Sequence, residues 1–280
     1  MAINRLRQPE DVLLSKWGFK KPSRPVLNKL HPLSRGLGGL WLTGNETTGF
    51  ISDISENGNN GKIVNGPLAN IPSFNNGYST RFSIVGAPNQ YVDCGPSALL
   101  KGSPALTIIC WVNYDNTGAF PRIISNSDGN NGFNFVAFNL TSNPAVGFLK
   151  GGTNTILDMG FHMDAHKWVF FAITYDNVTA NLYYNGTLAA TLGSSSILGV
   201  STDNLCFATE PGTQPSASNN YPGGLEAVRI YNRALTAAEV LQLYVEPYAG
   251  IYDAIADRKV VGGSPAPPAN TQRSYAEIWG

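Results

Sequence analysis

Cysteine, histidine, methionine and charge are all scarce in this 280-residue chain, which has three each of Cys, His and Met and only 14% charged residues. Cys94, Cys110 and Cys206 show no zinc spacing and are too few for a disulfide framework. Cys110 and Cys206 lie in apolar strand contexts (Ile-Ile-Cys-Trp and Leu-Cys-Phe), where a small buried hydrophobe is the plain reading. No apolar run approaches the roughly 18 residues of a membrane span. The amino terminus lacks an apolar leader segment, so secretion by a standard signal is not expected. Paired acids are missing too. Retaining glycoside hydrolysis needs two carboxyl groups about 5–5.5 Å apart, which on a strand means acids two or four positions apart. None of the eight Glu meets that condition: Glu226 stands alone on its strand and Glu239 is committed to a helix cap. No catalytic residue and no enzyme activity are expected.

The scarce histidines include one i, i+4 pair, His162 and His166. That spacing suits zinc only on a helix, and this pair falls in a turn leading into a strand. A solvated turn is expected there.

What the chain does have is aromatic residues, glycine and turn formers. Segments 80–85, 90–94, 106–113, 121–126, 133–139, 145–150, 168–175, 205–209 and 225–231 read as strands separated by tight turns. Both faces of 168–175 are apolar, which predicts a central strand covered on each side. Asn185-Gly186 supplies the two positive-φ residues of a type I′ hairpin turn. Thr236-Ala-Ala-Glu239 is a capping box opening a helix over 237–244. The fold class is therefore all-β: a two-sheet antiparallel sandwich with one short C-terminal helix and extended terminal arms.

Charge is unevenly placed. Residues 1–35 carry eight Lys and Arg against Glu10 and Asp11, a net of +6, which leaves −6 for the rest of a chain of zero net charge. This divides the chain into a basic N-terminal docking arm over 1–35, a body over 36–245, and a Pro/Gly-rich tail over 246–280. Arg5, Arg7, Trp17, Lys20, Lys21, Arg24 and Trp279 are the candidate docking residues. The arm's cations alternate with prolines and lack stacking aromatics at regular spacing, so direct nucleic-acid recognition is not expected. Basic and apolar groups on an arm without a core gain stability against a partner.

Leu106-Thr-Ile-Ile-Cys-Trp-Val112, Lys167-Trp-Val-Phe-Phe-Ala-Ile-Thr-Tyr-Asp176, Leu182-Tyr-Tyr-Asn-Gly186 and Val228-Arg-Ile-Tyr-Asn-Arg-Ala-Leu235 resemble the laminin G-like domains of the concanavalin A-like lectin/glucanase superfamily. Asp53-Ile-Ser-Glu-Asn-Gly-Asn-Asn-Gly61 and Tyr91-Val-Asp-Cys-Gly95 resemble that group's N-terminal signatures. The resemblance covers roughly 36–245 and implies a jelly roll. The flanks, His31-Pro-Leu-Ser-Arg-Gly-Leu37 through Trp41 and Leu243-Tyr-Val-Glu-Pro-Tyr-Ala249, are similar to those of such domains in tailed-bacteriophage structural proteins.

Several expectations follow from the resemblance. The setting it implies is a virion, with a non-enzymatic capsid decoration protein first, a tail or fibre appendage second, and a lectin devoted to glycan recognition as the other class. Other virion proteins, copies of itself as a homo-oligomer, and host surface glycans are the implied partners. Calcium is the one cofactor implied, through loop oxygens of Asp115, Asn116, Asp128 and Asn130, although Asp and Asn there are equally plain turn formers. Glycan binding would fall to rim aromatics such as Tyr114, Phe120, Phe161 or Tyr221, and each of these is equally a core or interface residue.

Overall fold

In an extended strand successive side chains point to opposite faces, and in Trp168–Tyr175 every residue after the first is buried. Val169, Phe171 and Ile173 join one apolar cluster, while Phe170 and Ala172 join another. The strand thus divides two cores, as the doubly apolar pattern predicts.

The computed structural model describes residues 21–254 except 45, 47–48, 67, 75–76, 84–89, 97–104, 116–120, 129–130, 141–142, 151–154, 163, 194–200 and 212–219, and describes 134–162 by backbone. Two antiparallel sheets face each other. The first runs, edge to edge, Thr155–His162, Asn143–Lys150, Phe133–Leu140, Arg122–Ser125, Cys206–Phe207, Tyr91–Asp93, Gly61–Val64 and Phe50–Ile51. The second runs Thr187–Gly193, Thr179–Tyr184, Trp168–Tyr175, Leu106–Tyr114, Gly223–Tyr231, Tyr78–Phe82 and Ala69–Pro72. Leu37–Trp41 also pairs with the far half of Gly223–Tyr231. Ile108, Cys110, Val112, Phe171, Phe207 and Leu225 belong to the core between the sheets.

The expected local devices are present. Asn185 has φ 47° and Gly186 φ 78°, the values a type I′ hairpin requires. A Cβ on Gly186 would stand 2.7 Å from the Tyr244 ring, so the turn also packs too closely for any larger residue. Thr236 caps the helix Ala237–Val245, with its side chain accepting from the Glu239 amide and Glu239 reaching back to the cap. Among the described residues this is the only α-helix.

The flanks differ from the expectation. Pro25–Leu27 pairs with Ile251–Asp253 in a two-stranded sheet, and Pro32–Ser34 forms a 3-10 turn. Leu27, Leu33 and Tyr248 are buried with Ile109, Trp111 and Leu243 in the outer core. The boundaries placed at 35/36 and 245/246 therefore cut through packed structure, because the flanks' apolar residues find burial on their own sheet. Residues 1–20 of the arm and 255–280 of the tail lie outside the described residues.

Candidate binding groove

The loop between Ile51 and Gly61 is organised by one carboxylate. Asp53 Oδ1 accepts from the Leu40 amide at 3.0 Å, the Ser55 amide at 2.9 Å and the Ser55 hydroxyl at 2.6 Å. Its Oδ2 accepts from the Asn59 amide at 3.0 Å and the Asn59 side chain at 3.2 Å. The Asn59 carbonyl in turn accepts from the Trp41 indole at 2.8 Å. The acid of the Asp-Ile-Ser-Glu-Asn-Gly-Asn-Asn-Gly signature is thus a folding hub, and charge-assisted bonds of this kind are the stronger ones.

The hub fixes the two-residue edge strand Phe50–Ile51. Ile51 turns into the core at 2% exposure, so Phe50 must turn outward, where it is 49% exposed. Phe50 lines a groove of about 410 Å³ together with Ser23, Val26, Leu42, Ile54 and Glu56. Val26 stands opposite Tyr252, which is 43% exposed, and residues so paired share a face. The rim carries both signs of charge. Glu56 is paired with Lys29 at 2.6 Å in solvent. Glu46 accepts from the Gly44 amide at 2.6 Å and from the Thr80 hydroxyl. Lys62 lies opposite Phe50 across the Phe50–Ile51 and Gly61–Val64 pair. A groove lined by an exposed aromatic ring and apolar side chains, with acceptors and donors close by, can hold a ligand having both C–H faces and hydroxyls.

The residues singled out by sequence are placed elsewhere. Tyr114 and Tyr221 are fully buried and stack on each other, with ring centroids 5.6 Å apart. The Tyr221 hydroxyl donates to the Gly224 carbonyl at 3.0 Å. Burial raises the pKa of both phenols, and neither presents a ring to a ligand. Phe120 lies outside the described residues, and Phe161 is described by backbone alone.

Of the calcium candidates, Asp115 is paired with Arg81 at 2.5 Å. Asp128 accepts from the Asn131 amide at 2.6 Å and the Thr202 amide at 3.2 Å. Asn116 and Asn130 lie outside the described residues. Among the described residues no group of three His, Cys, Asp or Glu converges to hold a metal ion. His162 ends a strand and His166 has φ 58°, so that pair is not on a helix.

Of the docking candidates, Lys21 is buried and bound to its own chain, at 3.1 Å from Glu226. Arg24 is exposed beside the groove wall. Arg5, Arg7, Trp17, Lys20 and Trp279 lie outside the described residues. Sequence reasoning missed Phe50, Val26 and Leu42. A two-residue strand after Gly49 has no periodicity to read, and the groove assembles from segments far apart in the chain.

The family model of the concanavalin A-like lectin/glucanases superfamily, laminin G type, matches residues 86–241, more than half of the chain. The chain belongs to that superfamily. No curated protein matches it. Among solved structures it is similar to the fourth domain of an extracellular arabinanase from Geobacillus stearothermophilus in complex with arabinotriose. That likeness has a TM-score of 0.59 and 16% identity, and covers 74% of this chain and 98% of that one. The binding domain of Paraclostridial Mosquitocidal Protein 1 matches with TM-score 0.59 and 17% identity, over 76% of this chain and 52% of that one. The binding domain of Botulinum neurotoxin DC in complex with SialylT matches with TM-score 0.57 and 15% identity, over 75% and 51%. The chain spans about half the length of the toxin binding domains. At these identities the likeness establishes a lectin-like fold.

Proposed function

We propose that the protein is a non-enzymatic glycan-binding module whose ligand seats in the groove beside Phe50. The observation carrying this reading is the half-exposed Phe50 ring lining one groove with the apolar Leu42 and Ile54. An aromatic face covers the C–H side of a sugar ring, and the rim acceptors and donors take its hydroxyls. The likeness to domains solved with arabinotriose and with SialylT supports the class and supplies the first probes, one neutral and one acidic. Titration calorimetry against both, followed by an array of bacterial and host surface glycans, tests the reading. Phe50→Ala is expected to weaken any binding found at least tenfold with the melting temperature retained. Full affinity in that variant defeats the assignment of the groove.

A second reading concerns setting, and a specific observation favours it. The Ala254 amide donates to the Arg24 carbonyl at 3.0 Å, so the chain joins and leaves the body at one place. Arg24 and Ala254 therefore stand side by side, which gives a partner one face to hold. In this reading the module is carried on a tailed-bacteriophage virion, as a capsid decoration protein or as a tail or fibre appendage. Its partners are other virion proteins or copies of itself. The basic residues Arg5, Arg7 and Lys20, with Trp17 and Trp279, would supply the docking contacts. Removal of 1–20 is expected to abolish incorporation into particles while leaving the sandwich folded. Normal incorporation of the truncated chain defeats the reading.

A further inference from the structure

Lys21 is 8% exposed and Glu226 is 0% exposed. The Lys21 Nζ donates to the Thr43 carbonyl, to the Tyr78 carbonyl at 3.1 Å and to Glu226 Oε2 at 3.1 Å. An ammonium has three donors, so every one is used, and the three acceptors come from three separate segments. Glu226 Oε1 also lies 3.1 Å from Nζ, but outside hydrogen-bond geometry. Around the pair, the Thr43 hydroxyl lies 3.3 Å from Glu226 Oε2, and the Ser79 hydroxyl donates to the Leu225 carbonyl at 2.7 Å. The strand that carries Glu226 is irregular at this point. Its register shifts between Glu226 and Arg229, and Ala227 has φ 51°. A bulge of this kind re-aims a side chain.

Two residues beyond Lys21 the chain becomes a wall of the groove, where Ser23, Pro25 and Val26 all line it. The far side of this strap has its own anchor. The Ser23 amide and hydroxyl each donate to Asp253 Oδ2 at 2.8 Å, and Pro25–Leu27 pairs with Ile251–Asp253. The strap is thus fastened by Asp253 and its strand on one side and by a buried ion pair on the other.

We propose that Lys21 and Glu226 are positioning residues: their ion pair is a latch that fastens the strap forming one wall of the groove. Removing either partner leaves the other charge buried and alone, which a protein tolerates poorly. The strap relieves this by lifting, because Lys21 is followed within three residues by the exposed Ser23 and Arg24. Removing both charges leaves nothing to relieve. The latch is a property of the unliganded chain, and only its consequence for binding rests on the groove's proposed role.

Hydrogen exchange on the full chain tests the latch without any ligand. Lys21→Met and Glu226→Leu are each expected to lower protection over 23–27 at least tenfold, and by more than over Trp168–Tyr175. The double variant Lys21→Met/Glu226→Leu is expected to return 23–27 to within about threefold of the parent, since an apolar pair replaces a buried ionic one well. Unchanged protection in both single variants, or a double variant no better than the singles, overturns the proposal. Amine acylation of the unaltered protein gives a second measurement that needs no variant to fold. Lys21 is expected to react at least tenfold more slowly than the exposed Lys29 and Lys62, and equal rates overturn the latch. A loosened strap in the single variants supports it whether or not a sugar binds, and a groove that binds no sugar defeats the preceding reading instead.

Discussion

Ile108, Cys110, Val112 and Tyr114 enter the core between the sheets from one strand, while Ile109 and Trp111 leave its other face for a second core. The inner core is made mostly of strand residues meeting strand residues. The outer one is closed by Leu27, Leu33, Leu235, Val240, Leu243 and Tyr248, which come from the flanks and the helix. Polar staples hold that cover in place. Arg229, 1% exposed, donates to the Pro247 carbonyl at 2.9 Å and the Ala249 carbonyl at 3.1 Å. Arg233 grips Glu239 with two bonds, at 2.9 and 2.7 Å, and donates to the Arg35 carbonyl at 2.8 Å. One sheet therefore has a face satisfied by periodicity and a face satisfied by long-range anchoring. The family signature from Val228 to Leu235 serves both, with Val228 and Ile230 in the inner core and Tyr231 and Leu235 in the outer.

The sharpest way to break the comparison is through the inner core. Phe171→Ala is expected to cost about 3–5 kcal/mol, read as a fall in denaturation midpoint accompanied by loss of both cores together. Next comes the buried pair: Lys21→Met is expected to cost about 3 kcal/mol or more at pH 8, because it strands the Glu226 carboxylate. Arg229→Met should cost less, about 1–3 kcal/mol, by leaving one buried and one half-buried carbonyl without their donor. Its exchange signature separates the cores, with 246–254 loosened and Leu106–Tyr114 still protected. Arg233→Ala, at a half-exposed ion pair, is expected to cost about 1 kcal/mol.

A pH experiment sharpens the same contrast. Burial, opposed by Lys21, pushes the Glu226 carboxyl up from its ordinary 4.5 to about 7. The folded chain then holds a proton that the unfolded chain gives up, so this group's stabilisation is complete below about pH 4.5 and is lost as pH rises through about 7. Denaturation midpoints should fall across that window in the parent protein and flatten in Glu226→Gln. A parent curve already flat there would mean that Glu226 titrates with its ordinary value. The smallest effect expected is from calcium. With Asp115 held by Arg81 and Asp128 by backbone amides, millimolar calcium should move the melting temperature by about 1 °C or less, as scanning calorimetry would show.

The difference between the cores also explains what could be read from sequence. The hairpin at Asn185-Gly186, the capping box at Thr236 and the doubly apolar strand Trp168–Tyr175 are local patterns, and each appears where turn chemistry and alternation require it. Alternation carried one step further would have placed Tyr114 inside, since it shares parity with Cys110 and Val112. Tyr221 had no such signal, standing two residues before its strand begins. The short strands Phe50–Ile51, Gly61–Val64 and Ala69–Pro72 escaped because runs of two to four residues, the last two of them containing Gly or Pro, carry too little pattern. Lys21 escaped for another reason. Nothing near it in sequence distinguishes a surface lysine from one whose carboxylate lies 205 positions away.

Pairing of Pro25–Leu27 with Ile251–Asp253 has a further consequence for how such a sandwich can be inherited. Neighbouring strands stand only about 5 Å apart, so the sandwich can be spliced as a cassette into an exposed hairpin of an unrelated carrier without prying it open. Recombination that moves a segment bounded near Lys21 and Ala254 would carry the whole unit, second core included, while a cut at 36 or 245 would leave that core uncovered.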